Sequence, residues 1–154
     1  MKRPDYMDLT GLKGITFKIP SQQRGYKWTP LDIRHLLADL LEFANDTSSA
    51  KIYCLQPLAL AKIDDTHYEA LDGQQRLTTL YLINKVFNGH EAYTFEFDRD
   101  NDSQRMSFLR GCDKNFTTEE IEKLPIDEYH ICKAYQAIII WQQNNKDGIE
   151  SVKK

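Results

Sequence analysis

At 154 residues, 41% of them apolar, the chain is long enough to form one domain with a buried core of its own. Its formal charge of -3 argues against an autonomous duplex-DNA-binding module, because such modules draw most of their affinity from a basic face that neutralises phosphates. Cys54, Cys112 and Cys132 are widely spaced, with no Cys-x-x-Cys pair and no metal spacing to His35, His67, His90 or His130. With no apolar run long enough to span a bilayer, this usage predicts a reducing, cytoplasmic setting.

The first element is a strand over Ile15 to Ile19, where Phe17 and Ile19 alternate with Thr16 and Lys18. A polar knot follows, Pro20-Ser21-Gln22-Gln23-Arg24-Gly25-Tyr26-Lys27-Trp28. It offers a guanidinium, an ammonium and flat aromatic surface within five residues, which suits a nucleotide with its base stacked and its phosphate clamped. Taken alone, the same knot reads more readily as a loop whose Tyr and Trp plug the core edge.

Thr29 as N-cap, Pro30 at the first helical position and Asp32 in the first turn open a helix over 30–44. Ile33, Leu36, Leu37, Leu40 and Leu41 form its apolar stripe. Strands are expected over 52–63, interrupted at Pro57, and over 67–71, joined by a hairpin turn at Asp64-Asp65-Thr66.

The run Leu71-Asp72-Gly73-Gln74-Gln75-Arg76-Leu77-Thr78-Thr79-Leu80 then carries the chain from strand into helix. A strand-to-helix turn of this kind gathers backbone N–H groups and the positive end of a helix dipole, which favour an anion such as phosphate. A plain capping box, with Asp72 as N-cap and Gln75 reaching back, accounts for two of these residues. It leaves Gln74, Arg76, Thr78 and Thr79 unexplained. Arg76 in particular opposes the dipole by roughly 0.3–1 kcal/mol, so it is expected to hold a carboxylate or a phosphate.

The helix is expected to run over 74–87 and to end at Asn88-Gly89, followed by a strand over 92–97 in which Tyr93, Phe95 and Phe97 alternate with polar residues. Beyond Asp98 the pattern breaks into short helical pieces. Asp98, Arg99, Ser103, Arg105, Phe108 and Leu109 are weighed there as a polar contribution to the site, with a solvated face favoured. Thr117 or Thr118 caps a helix containing Glu119 to Leu124. A last helix over 127–143 has an apolar stripe of Ile131, Ala134, Tyr135 and Ile138, broadened by Ile139, Ile140 and Trp141, and so requires a second packing partner. The expected fold is α+β: a small mixed sheet with packed helices and a helical C-terminal segment, divided into a core over 1–98 and an extension over 99–154. A doubly wound parallel sheet is disfavoured.

Gln23-Arg24-Gly25-Tyr26-Lys27-Trp28, paired with Asp72-Gly73-Gln74-Gln75-Arg76, resembles the N-terminal domain family of GmrSD-type restriction endonucleases, whose fold is similar to ParB and sulfiredoxin. Ile126-Asp127-Glu128-Tyr129-His130-Ile131, Ala134-Tyr135 and Trp141 extend the resemblance, so that it covers about residues 15 to 141. It implies an NTP-binding, in some members NTP-hydrolysing, domain of a bacterial restriction or phage-defence system, with Mg²⁺ accompanying the nucleotide. Carried over, Asp72, Gly73, Gln74, Gln75 and Arg76, with Thr78, form the phosphate end of a site that Gln23 and Arg24 face. Tyr26 and Trp28 then shape the pocket or hold the loop. Family members normally continue beyond the end of this chain into a region that in many carries an HNH-type nuclease, so the chain reads as a truncated or minimal version.

The first expectation for function is therefore a nucleotide sensor or nucleoside triphosphatase. Arg76, Gln74 and Gln75 would bind phosphate oxygens, Arg24 would meet charge on the transferred phosphoryl group, and Asp72 would hold Mg²⁺ or orient water through Gln74. The rivals are a metal-dependent DNA phosphodiesterase using Asp72, and a non-catalytic subunit that pairs with a separate nuclease. In the latter reading DNA is reached through the partner, and an oligomer would form through residues 131–141.

Overall fold

The computed structural model describes residues 10–20, 25–45, 58–98, 102–112 and 116–145. After a 3-10 turn at Thr10–Leu12 come β1 (Thr16–Ile19), α1 (Pro30–Asn45), β2 (Ala59–Lys62), β3 (His67–Asp72), α2 (Gln74–Asn88) and β4 (Thr94–Phe97). Three helices follow: α3 (Asp102–Arg110), α4 (Thr118–Glu122) and α5 (Ile126–Asn144). Much of the expected strand over 52–63 falls outside the described residues, and Ala59–Lys62 is the part seen.

The described strands form a four-stranded mixed sheet in the order β2-β3-β1-β4. β1 lies parallel to both β3 and β4, while β2 pairs antiparallel with β3. The α+β class is as expected, and the arrangement is consistent with a ParB-like relation.

Strand alternation sorts the two faces. Phe17 and Ile19 of β1 are buried beside Phe95 and Phe97 of β4, in register across the parallel pair. Thr16 and Thr94 point the other way and share a hydroxyl hydrogen bond of 3.0 Å. The apolar face receives α2: Tyr81 packs 5.8 Å from Phe95, centroid to centroid, and the Tyr93 hydroxyl donates to the Leu77 carbonyl. Phe17 sits fully buried at the centre, edge-on to Tyr93 at 5.1 Å.

α5 finds the packing partners its broad stripe requires in α1 and α2, with α3 and α4 also against it. Trp141 stacks on Phe87 of α2 at 6.1 Å. Ile131, Ala134, Ile138 and Trp141 are thereby buried within the chain, and Ile140 stays 56% exposed. Residues on both sides of position 98 belong to one core cluster, from Ile15 to Trp141.

Helix ends follow local chemistry closely in two places. The Thr29 hydroxyl accepts from the Asp32 N–H, and the Asp32 carboxylate accepts from the Thr29 N–H at 2.8 Å. Thr117, rather than Thr118, caps α4 through a capping box with Glu120.

Candidate functional site

β1, β3 and β4 run parallel, so their carboxyl ends share one edge of the sheet. A small, partly open cleft lies there. Ile19 and Pro20 reach it from the end of β1, Phe97 from the end of β4, and Gln74, Gln75 and Thr78 from the helix that β3 launches. This is where open sheets with parallel strands bind ligands, because helix N-termini and loops converge there.

The turn into α2 corrects the capping-box expectation. Gly73, not Asp72, is the N-cap, and no side chain caps the helix. Asp72 instead turns its Oδ1 onto the Gly73 N–H at 2.8 Å. Gly73 has φ of +93°, which favours glycine, and a Cβ there would lie 2.3 Å from Leu58 Cδ2. The glycine thus settles the cap: the turn needs a left-handed residue, and the carboxylate before it closes a local bend.

Gln75 does not fold back either. Its Nε2 donates to the Gly25 carbonyl at 2.8 Å and its Oε1 accepts from the Lys27 N–H at 2.8 Å. One side-chain amide thus pairs with the backbone of the first polar knot as a strand would. A second tie lies deeper. Thr79 Oγ1 donates to the Gln75 carbonyl, so its single hydroxyl proton is used, and the buried Tyr26 hydroxyl donates to Thr79 Oγ1 at 2.8 Å. Burial holds the Tyr26 phenol far above its usual titration range, so it remains a donor. The two motifs that stand out in the sequence are therefore fastened to each other.

The structure brings Tyr26, Gln74, Gln75 and Thr78 together on the cleft. Asp72 is exposed on the turn beside it. The Arg76 guanidinium lies over the same turn, with Nη2 3.4 Å from where a Cβ on Gly73 would be, and Arg76 is not part of the cleft lining. Trp28 packs half-buried against the core. Gln23 and Arg24 lie outside the described residues, as do Arg99 and the Ser103 side chain.

Further residues enter the site from the C-terminal helices. Arg105 lines the cleft, its side chain only 23% exposed, which overturns the solvated face favoured for it; Leu109, fully buried, lines it too. Arg105 Nη2 donates to Asp127 Oδ2 at 2.7 Å, and its guanidinium lies 5.4 Å from the centre of the Phe97 ring. Asp127, buried in the first turn of α5, was recognised in the sequence only as part of the family resemblance. Its place depends on Gly25, where a Cβ would fall 1.8 Å from Asp127 Oδ1. Burial raises the neighbouring Glu128 carboxyl above its ordinary range, against the pull of Arg105.

Among the described residues no cluster of three or more His, Cys, Asp or Glu has metal-ligand placement, and no helix is long and apolar enough to cross a membrane. Comparisons with curated proteins and with solved structures find no match. A family model does match, that of the GmrSD restriction endonuclease N-terminal domain, over residues 8–152. With a match across nearly the whole chain and both hallmark motifs locked together at one cleft, the chain belongs to the N-terminal domain family of GmrSD restriction endonucleases.

Proposed function

We propose that the chain binds a nucleoside triphosphate in this cleft and serves as the nucleotide-responsive part of a bacterial system that restricts DNA. The observation that carries the reading is the convergence, at the carboxyl ends of three parallel strands, of the first turn of α2, the Tyr26 loop and Arg105. A helix start with no side-chain cap offers N–H groups and a positive dipole end to an anion, and Gln74 and Thr78 add polar side chains beside it. Arg76, over the Asp72–Gly73 turn, supplies a planar fork suited to phosphate oxygens. Gln75 and Tyr26 act through the loop they hold, and Arg24 is assigned to the phosphates on the family resemblance.

Asp72, exposed on the turn, would hold a Mg²⁺ brought by the nucleotide, since that ion calls for only one or two protein carboxylates. Bound there, it would neutralise charge on the phosphates. Gln74, at the start of the helix, is then the side chain to orient an attacking water in a hydrolytic cycle. Cys112 and Cys132 are not in disulfides, which accords with a cytoplasmic setting. DNA would be engaged through a nuclease region or partner protein, since the chain carries no net positive charge.

Calorimetry and thermal shift with ATP, GTP, CTP and UTP in the presence of Mg²⁺, on wild type and Arg76→Ala, test the proposal. Stabilisation by at least one nucleotide, weakened in the variant, is expected, and phosphate release without DNA would extend the reading to hydrolysis. Nicking of DNA with metal alone would point to a phosphodiesterase instead. No response to any of the four would leave the partner-subunit reading.

A further inference from the structure

Arg105 and Asp127 belong to neither hallmark motif, yet they form a wall of the cleft. A plain explanation is that the pair staples α3 to α5. That explanation is weak on energetic grounds, because a largely buried ion pair gains little over apolar residues of similar volume once desolvation is counted. It also leaves the geometry unexplained. The guanidinium carbon lies over the Phe97 ring at the end of β4, 5.4 Å from its centre, and Asp127 engages the group through Nη2. That bond uses one of five N–H donors on a cation lining an open cleft. Asp127 in turn packs against Gly25, so closely that a Cβ there would meet its carboxylate, and the pair therefore abuts the loop that carries the first motif.

Accepting the nucleotide reading above, we propose that Arg105 grips the phosphate chain of the bound nucleotide and that Asp127 is its positioning residue. The first turn of α2 and Arg105 then present two positive features from separate elements to one space. A polyanion satisfies both at once, whereas an uncharged nucleoside meets neither. Arg105 therefore sets the preference for phosphorylated over unphosphorylated ligand.

The test compares binding of the best of the four triphosphates, by calorimetry, with binding of the matching nucleoside, by ligand-observed NMR. Arg105→Gln is expected to weaken the triphosphate about 30-fold, the scale of losing a hydrogen bond to a charged group, and to leave the nucleoside unchanged. A merely structural staple would weaken both alike. Because Arg105→Gln removes the cation that faces the Asp127 carboxylate, the double variant Arg105→Gln, Asp127→Asn keeps an amide pair without charge and decides the matter if the single variant is unstable. Asp127→Asn alone is expected to reduce the ratio of triphosphate to nucleoside affinity several-fold, with Arg105 left unaimed. An unchanged ratio in the Arg105 variants, with nucleotide still bound, would overturn this inference and leave the nucleotide reading standing. Failure of wild type to bind any triphosphate would overturn both.

Discussion

Gly25 and Gln75 show how much of the site rests on single atoms. Gly25 allows the Asp127 carboxylate to lie where any side chain would stand. Gly25→Ala is expected to cost about 2 kcal/mol, the scale of overpacking, and to displace Asp127 from Arg105. A denaturant titration that finds it as stable as wild type would contradict the close approach. Tyr26→Phe removes one buried donor while leaving the ring in place. The expected loss is about 1 kcal/mol, since Thr79 keeps its own bond to the Gln75 carbonyl. Gln75→Ala should cost more than Tyr26→Phe, because it severs both backbone ties to the first loop.

At the level of elements, α3 packs on β4 and α5 and is joined to α2 by a polar seam. Lys85 Nζ donates to the Leu109 carbonyl at 2.8 Å and also to that of Arg110, so a side chain of α2 caps the end of α3. Arg110 pairs with Glu91, which accepts from the Tyr81 hydroxyl at 3.0 Å. Lys85→Met is expected to cost about 1 kcal/mol and to speed hydrogen exchange in α3 selectively, loosening the helix that carries Arg105. Uniform exchange across the chain would count against the seam. The β2–β3 turn is held by Asp64, which accepts from the Thr66 and His67 N–H groups at 2.8 Å each. These bonds, the Thr66 backbone first, lower the Asp64 carboxyl to about 2. A lowered folded pKa means that its contribution is present above the usual carboxylate range and is lost as pH falls through about 2. Carbon-detected NMR should find that midpoint; one near the ordinary Asp value of about 3.9 would show that the turn is not so bonded in solution.

Across the whole molecule, one core cluster runs from Ile15 through Phe17, Tyr81 and Phe95 to Ile138 and Trp141. α5 packs on α1 and α2, which ties the helices beyond position 98 to the sheet side. A single cooperative transition is therefore expected by calorimetry, with 1–98 and 99–154 unfolding together. Phe17→Ala, at the centre of the cluster, should cost about 3–5 kcal/mol and lower Tm by roughly 10 °C while keeping one transition. Two separate transitions, in wild type or variant, would mean that the C-terminal helices fold as a unit of their own.

Local signals were legible wherever their partners lie within about four residues, the reach of a helical turn or a tight bend. Thr29-Pro30 with Asp32, Thr117 with Glu120, the Asp64 turn, the alternation of Phe17 and Ile19 with Thr16 and Lys18, and the Asn88-Gly89 stop all sit where the sequence alone placed them. The paired motifs identified the family for the same reason: each is a contiguous string. The partners of those side chains were not legible. Gln75 looked like half of a capping box, yet it binds backbone some 50 residues away, and Asp72 lost the cap to a left-handed glycine. Arg105 read as solvated because its helix is short and polar, and only the packing of α3 on β4 and against α5 carries it into the cleft. Sequence determined which segments turn, cap and bury. Tertiary structure decided which polar groups meet, because a buried donor takes whichever acceptor packing delivers, and that choice is made across the fold.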